Sequence, residues 1–378
     1  MSLYRRIILI GIVVLPMICG TQAVAQGVFR VAFINPGATD DPFFSSLTYM
    51  MQDAASDLNI DLEVIDASAS HIEVRRRGNE VLERGNPPDY LLLINDHDVL
   101  DGVIKRADML GVKTFLFNEG FSSRRLKDIG TPRHPIKNWL GQLLPNDRKA
   151  GYLLAKDLIE HAKRKASHAT IDMVALNGAY RANSSELRLL GLQDALAEYD
   201  NVKLRQIVHT RWDEKKAYDA TRGLLERYPE TSVIWSASDL IACGALRAVK
   251  EVGLKPEKDI LIGGIDWSDF ALEAVGKGDF QASVGWHVMD GAWSLVMLYD
   301  YHHGHDFPVS SHSDYFIMNK DNIGRFGRYL GSKEKWANID FKAFTKTHSL
   351  QGQSYDFSLD AVLRHLSESS VLSKVTTH

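Results

Sequence analysis

In the stretch "INPGATDDPFFSSL", residues 34–47, the run "DDPFF" sets two carboxylates, Pro42 and two phenylalanines where an apolar run hands over to a helical period. The same character returns along the chain: Asn95 and Asp96, Asn118 and Glu119, Tyr180 to Glu186, Trp212 and Asp213, Ser238 and Asp239, Asp266 and Trp267, Trp286 and His287. Each set follows an apolar, strand-like run. Aromatic rings beside planar polar groups suit a polyhydroxylated ring, because flat apolar faces cover its C–H surfaces while carboxylates and amides pair with its hydroxyls. A single Asp after a strand is more often a cap or a turn residue. It is the recurrence that points to a binding site.

The elements that must position these residues can be read from periodicity. Strand-like runs "FRVAFI", "DLEVID", "DYLLLI" and "KTFLFN" alternate with helical periods "PFFSSLTYMMQDAASDL", "HIEVRRRGNEVLERG" and "DGVIKRADMLG", which is the pattern of a parallel sheet covered by helices. After a polar, proline-marked stretch from Glu119 to Pro145, the helix "NDRKAGYLLAKDLIEHAK" opens a second series with strands "TIDMVAL", "VKLRQIV", "TSVIWSA" and "DILIGGI". Two series imply two lobes, and in open α/β sheets ligands bind outside the carboxyl ends of the strands. At the first handover, one Asp and Pro42 start the helix, as cap and first-turn residue. Phe43 and the second carboxylate are then left at the open mouth. A last strand–helix unit, "QASVGWHVMDGAWSLVMLYDYHHG", follows the second series, so a helix returning to the first lobe makes the chain cross more than once.

Residues 1–25 are set aside from the fold. Basic residues, an apolar run and Ala23-Val24-Ala25 read as a secretory leader cut after Ala25; bulky Met17 and Ile18 argue against lipidation at Cys19. The mature chain then starts at Gln26 and keeps one thiol, Cys243, whose helical apolar neighbours place it in a core. The formal charge of −4 becomes more negative with the loss of Arg5 and Arg6, and nothing suggests a nucleic-acid partner. No phosphate-cradling loop, nucleophile elbow or metalloprotease helix is present, and the "HHGH" of residues 302–305 reads as an exposed loop and not as a metal site. "RRR" at residues 75–77 reads as a solvated helix face. No cofactor is expected.

The order and spacing of "DDPFFSSL", "FNEG", "NDRKAGYLLAKDL", "SSELRLLGL", "WSASDLIACGALRAV" and "GGIDWSDFALEAVGKGDFQASV" resemble the type I periplasmic sugar-binding proteins of the ribose- and galactose-binding kind, over about residues 28–310. The resemblance implies an α/β fold of two Rossmann-like lobes with parallel sheets, joined by a three-segment hinge. The N-terminal lobe would span residues 26–143 plus about 288–308, and the C-terminal lobe 144–287 plus about 309–324. Residues 325–378 form an extension of unknown role. It further implies a ligand held between Asp41, Phe43, Phe44 and Asn118 on the first wall and Glu186, Trp212, Ser238 and Asp266 on the second, with Trp286 at a crossover. Such a protein works in the periplasm as a monomer, capturing a sugar or sugar-like ligand for an ABC-type importer.

Three departures from a pentose binder stand out. Glu119 and Glu186 occupy positions where arginine is usual, and Ser238 stands where asparagine is usual. Several carboxylates in a desolvated cleft repel one another, so an amino sugar, another cationic ligand or a bound cation competes with a simple sugar. The same fold also serves receptor subunits that present a closed lobe pair to a membrane sensor kinase or chemoreceptor, and the long extension leans towards such a special partner. A transcription regulator would need a helix-turn-helix where the leader stands. A glycoside-acting enzyme would need Asp41 and Asp266 as a working carboxylate pair.

Overall fold

The computed structural model describes residues 28–38, 41–165, 170–330, 333–348 and 354–375. The leader and Asp40 lie outside them. In chain order the first series is β1 (Arg30–Asn35), α1 (Pro42–Asp57), β2 (Asp61–Asp66), α2 (His71–Leu82), β3 (Tyr90–Leu93), α3 (Asp101–Met109), β4 (Lys113–Phe117), α4 (Ser123–Ile129) and β5 (Trp139–Pro145). The second is α5 (Asp147–Lys165), β6 (Ile171–Asn177), α6 (Asn183–Leu196), β7 (Val202–His209), α7 (Glu214–Arg227), β8 (Val233–Ser236), α8 (Asp239–Glu251), β9 (Leu261–Ile265), α9 (Asp269–Lys277) and β10 (Ala282–Gly285). Then come α10 (Asp290–His302), β11 (Ser310–Ser313), β12 (Phe316–Asn319), α11 (Ile323–Leu330), α12 (Lys333–Trp336) and α13 (Leu359–Val375).

These strands make two six-stranded sheets, ordered β11-β5-β4-β3-β1-β2 and β12-β10-β9-β8-β6-β7. Every pairing is parallel except β10 with β12. Central strands such as β3, β8 and β9 are buried along their whole length, as helices on both faces require, whereas edge strand β2 alternates exposed and half-buried positions. The chain passes between sheets after β5, after β10 and between β11 and β12. The last passage falls between Ser313 and Phe316, later than the boundary expected near residue 308, because β11 pairs with β5 of the first sheet.

Strand β5 lies inside the stretch read as polar and proline-marked. Its "WLGQLLP" carries Gly141 and Gln142 in mid-run and a closing proline, so its period is broken, yet all but one of its residues are buried. Helix α1 forms as its spacing predicts, burying Leu47, Met50, Met51, Ala54 and Ala55 on one face. Its cap is a correction: Asp41, not the first Asp, accepts hydrogen bonds from the backbone N–H groups of Phe43 and Phe44. Arg76 pairs with Glu73 and Glu80 on the exposed face of α2. Cys243 is half-buried on α8, its thiol pushed up by burial. His302 stacks on Phe29 at 4.3 Å and His303 binds the Tyr299 carbonyl, so the histidine run packs partly against the lobe.

The described residues after β12 join the core cluster that holds α1 and α10. Phe326, Leu330, Trp336, Ile339, Phe341, Leu359, Val362, Leu363 and Leu366 are buried with α1 and α10. Phe357 stacks flat on buried Trp293 (4.7 Å, 8°) and its carbonyl accepts from the Trp286 indole at 2.9 Å. The Phe341 N–H donates to Asp57 at 2.9 Å, and those of Lys346 and Thr347 donate to Asp300 at 2.8 and 2.9 Å. Among the described residues no helix is long and apolar enough to cross a membrane.

Candidate binding cleft

The carboxyl ends of both sets of strands converge on one cavity of about 960 Å³ between the lobes. The first lobe supplies Asp41, Phe43, Phe44 and Asn118, and the second supplies Trp212, Ser238 and Asp266, all lining the same space. Two expected residues lie elsewhere. Glu186 is exposed and off the lining, because one helical step separates it from the inward-facing Ser185 and Arg188. Trp286 is buried at 1% exposure and spends its indole N–H on Phe357, so its ring belongs to the wall behind the cavity. Trp267, also following a strand end, is likewise buried and stands 6.2 Å from Trp286.

Backbone geometry aims the lining side chains. Asn118, Arg211, Trp212 and Asp266 all have positive φ, a conformation non-glycine residues rarely adopt unless the surroundings enforce it. Such turns at successive strand ends redirect side chains into the gap. The Trp212 ring lies flat against the Gly178 backbone, where a Cβ would stand 2.2 Å from ring carbons. On the opposite wall Phe43 and Phe44 meet edge to face at 5.2 Å, and Phe43 stacks on His287 at 4.7 Å. The cavity thus has aromatic surface on both sides.

Arg188 organises the polar part of the second wall. Helices α5 and α6 cross in close contact at Gly151 and Gly191, since a Cβ on Gly151 would come within 1.9 Å of the Arg188 carbonyl. That crossing brings the Arg188 Nε to 2.7 Å from Asp147, while Nη1 donates to the Ala237 carbonyl (2.7 Å) and Nη2 to the Tyr315 hydroxyl (3.1 Å). Nη1 also lies 3.5 Å from Asp266. Burial raises the Asp266 carboxyl to about 7 against the opposing pull of Arg188. His287, 3.5 Å from Asp266 and fully buried, is held neutral by desolvation and by the Arg188 charge. Asp239 is enclosed too; it accepts from the Ser268 N–H, the Ser268 hydroxyl and the Ser283 hydroxyl, so its work is to fix the Asp266–Ser268 turn.

The structure therefore sorts the lining carboxylates by task. Asp41 caps α1 and Asp213 caps α7. Ser238 caps α8 through its hydroxyl oxygen, accepting from the Ile241 N–H, which leaves its proton for another acceptor. Asn118 lines the cavity, and its Nδ2 is buried with no hydrogen-bond partner. Among the described residues no group of three or more His, Cys, Asp or Glu side chains is placed to hold a metal.

A model of the periplasmic binding protein domain matches residues 31–305. The chain belongs to that family. Among curated relatives, the D-apiose import binding protein of Actinobacillus succinogenes is 22% identical over 274 residues, covering 71% of this chain and 80% of its own. The ribose import binding protein RbsB of Escherichia coli is 24% identical over 287 residues, 75% of this chain and 87% of its own. Among solved structures, a periplasmic sugar-binding protein from Pseudomonas fluorescens superposes with a TM-score of 0.80 at 29% identity, over 89% of this chain and all of the other. These relatives are binding proteins of the same two-lobed α/β fold. Arg188, on which the polar part of the second wall is built, is not among the residues the sequence pattern assigned to the ligand. Its helical spacing from Ser185 was the available signal that this face, and not that of Glu186, turns inward.

Proposed function

We propose that this protein is a periplasmic solute-binding protein that captures a sugar or sugar-like ligand between its lobes and delivers it to an ABC-type importer. The observation that carries this reading is the cavity itself: aromatic faces on opposite walls, with Asn118 and Asp266 among the polar residues that line the space between them. That pairing fits a ring with apolar faces and hydroxyl edges. Asp41, Phe43, Phe44, Asn118, Trp212, Ser238 and Asp266 are the proposed contacts. The names of the apiose and ribose relatives support the ligand class and the importer partner. The reading includes export after cleavage at Ala25, a monomeric state, and binding without turnover. Asp41 is engaged as a helix cap, which argues against its pairing with Asp266 in hydrolysis.

The extension gives no support to a receptor role, since it completes the first lobe's core. Screening sugars, amino sugars and polyols by thermal shift and intrinsic fluorescence tests the proposal. A true ligand at a hundredfold over its dissociation constant stabilises the fold by about 2.7 kcal/mol. A flat response across the whole panel would refute the ligand class, and protein-dependent hydrolysis of aryl glycosides would refute binding without turnover.

A further inference from the structure

Helix α6 begins without a cap of its own. The preceding residue is Ala182, in the extended conformation of a cap but with no side-chain acceptor, so the first N–H groups of a 14-residue helix need a partner from elsewhere. The partner comes from the other lobe. Glu119, on the turn after β4, reaches across the cleft and its Oε1 accepts from the Asn183 N–H at 2.7 Å. The turn holding it is itself tied down, because the Glu119 carbonyl accepts from the Asn95 N–H at 2.9 Å and its N–H donates to the Phe117 carbonyl at 2.7 Å. A carboxyl at a helix N-terminus is favoured by the exposed N–H groups and by the helix dipole.

We propose that Glu119 is a positioning residue for lobe closure: its carboxyl supplies, across the cleft, the cap that α6 lacks, and so holds the closed arrangement by a contact within the protein. Opening the lobes breaks the bond and returns both groups to water. The contact does not depend on which ligand the cleft takes.

Closure is also linked to protons. In the closed cleft, burial first and then the nearby charges of Asp96 and Asp147 push the Glu119 carboxyl up to about 8, against the lowering pull of the Asn183 and Ser184 N–H groups. His71 and His97 from the first lobe, and Arg188, Arg211, Asp266 and His287 from the second lobe and hinge, line the same cleft. In an open cleft the carboxyl is solvated and titrates near its ordinary value of 4.5. The closed form therefore binds more protons. Closure is fully favoured below about 4.5 and loses that support as pH rises towards about 8. A protonated carboxyl keeps its carbonyl oxygen, so the bond from Asn183 survives protonation.

Spin labels on cysteines replacing exposed Arg75 and Glu226, one on each lobe, in a Cys243→Ser background, read the lobe separation in the ligand-free full-length mature protein. The parent should show a short-distance population that grows as pH falls from 9 to 5. Glu119→Gln, which keeps an acceptor oxygen but cannot ionise, should keep that population and lose its pH dependence. Glu119→Ala should lower the closed-to-open ratio by about fivefold or more, the weight of one hydrogen bond, at about pH 5, where ionisation of the parent carboxyl opposes closure least. Hydrogen exchange at the Asn183 and Ser184 amides should be correspondingly faster in Glu119→Ala. Identical distance distributions in parent and Glu119→Ala, or a parent distribution that ignores pH, would overturn the proposal. These readouts need no ligand, so a failed sugar screen and a failed clasp are separate results.

Discussion

Replacing Arg188 with Met removes the cation on which the second wall is built, at nearly constant side-chain volume. Arg188 is 5% exposed, and its guanidinium carries a 2.7 Å bond to Asp147, a 2.7 Å bond to the Ala237 carbonyl, a 3.1 Å bond to the Tyr315 hydroxyl and a 3.5 Å approach to Asp266. Asp147 keeps one partner, the Tyr315 hydroxyl at 2.9 Å, but loses its counter-charge inside the protein. Breaking a buried pair by removing one partner costs about 3–5 kcal/mol, chiefly because the other charge stays buried and uncompensated. We expect a loss in that range in urea unfolding followed by tryptophan emission, for which buried Trp235 in β8 is a local probe. Adding Asp147→Asn to Arg188→Met removes the stranded charge, so the double variant should be more stable than Arg188→Met alone and the two losses should fail to add. A loss below about 1 kcal/mol in Arg188→Met, or strict additivity in the double variant, would refute the reading of Arg188 as the electrostatic centre of the wall.

Asp266→Ala should weaken binding of the ligand found by screening about ten- to a hundredfold by calorimetry, as loss of charge-assisted hydrogen bonds does, and parent-like affinity would place the site elsewhere. Gly151→Ala should cost about 1–3 kcal/mol in chemical denaturation, because its Cβ meets the Arg188 carbonyl at the α5–α6 crossing; a neutral result would mean that the crossing is compliant. Phe357→Ala should destabilise by about 2–3 kcal/mol, since it strips a flat stack from buried Trp293 while leaving the backbone carbonyl that accepts from Trp286. An unchanged melting temperature would make the extension an ornament.

The alternation of strands and helices was legible because buried parallel strands read as unbroken apolar runs and amphipathic helices as three- and four-residue spacings. β5 was not, for Gly141 and Gln142 interrupt it, and its burial depends on partners on either side. β11 and β12, four residues each, owe their existence to the sheet edges they complete. At the site, strand ends told where to look. What they left open was which of several polar residues faces inward. Position 186 turned outward because helix α6 presents 185 and 188 to the interior, and Trp286 turned to the wall because residues far along the chain cover it. Asp41 and Ser238 both cap helices and line the cavity, so capping and lining are not exclusive.

The placement of the extension bears on the order in which the lobes form. Apart from β12, every strand of the second sheet falls within residues 171–285, an uninterrupted stretch whose core involves mostly near neighbours in sequence. The first sheet draws β11 from beyond that stretch, and the apolar faces of α1 and β1 are covered by α10 and by residues past 323. Closing so long a loop is entropically slow, and the apolar surface waiting for it is exposed meanwhile. The lobe made first is thus the lobe finished last. During refolding the second lobe should regain native tryptophan emission ahead of the first, and any chaperone engaged on the way would find its binding surface on α1.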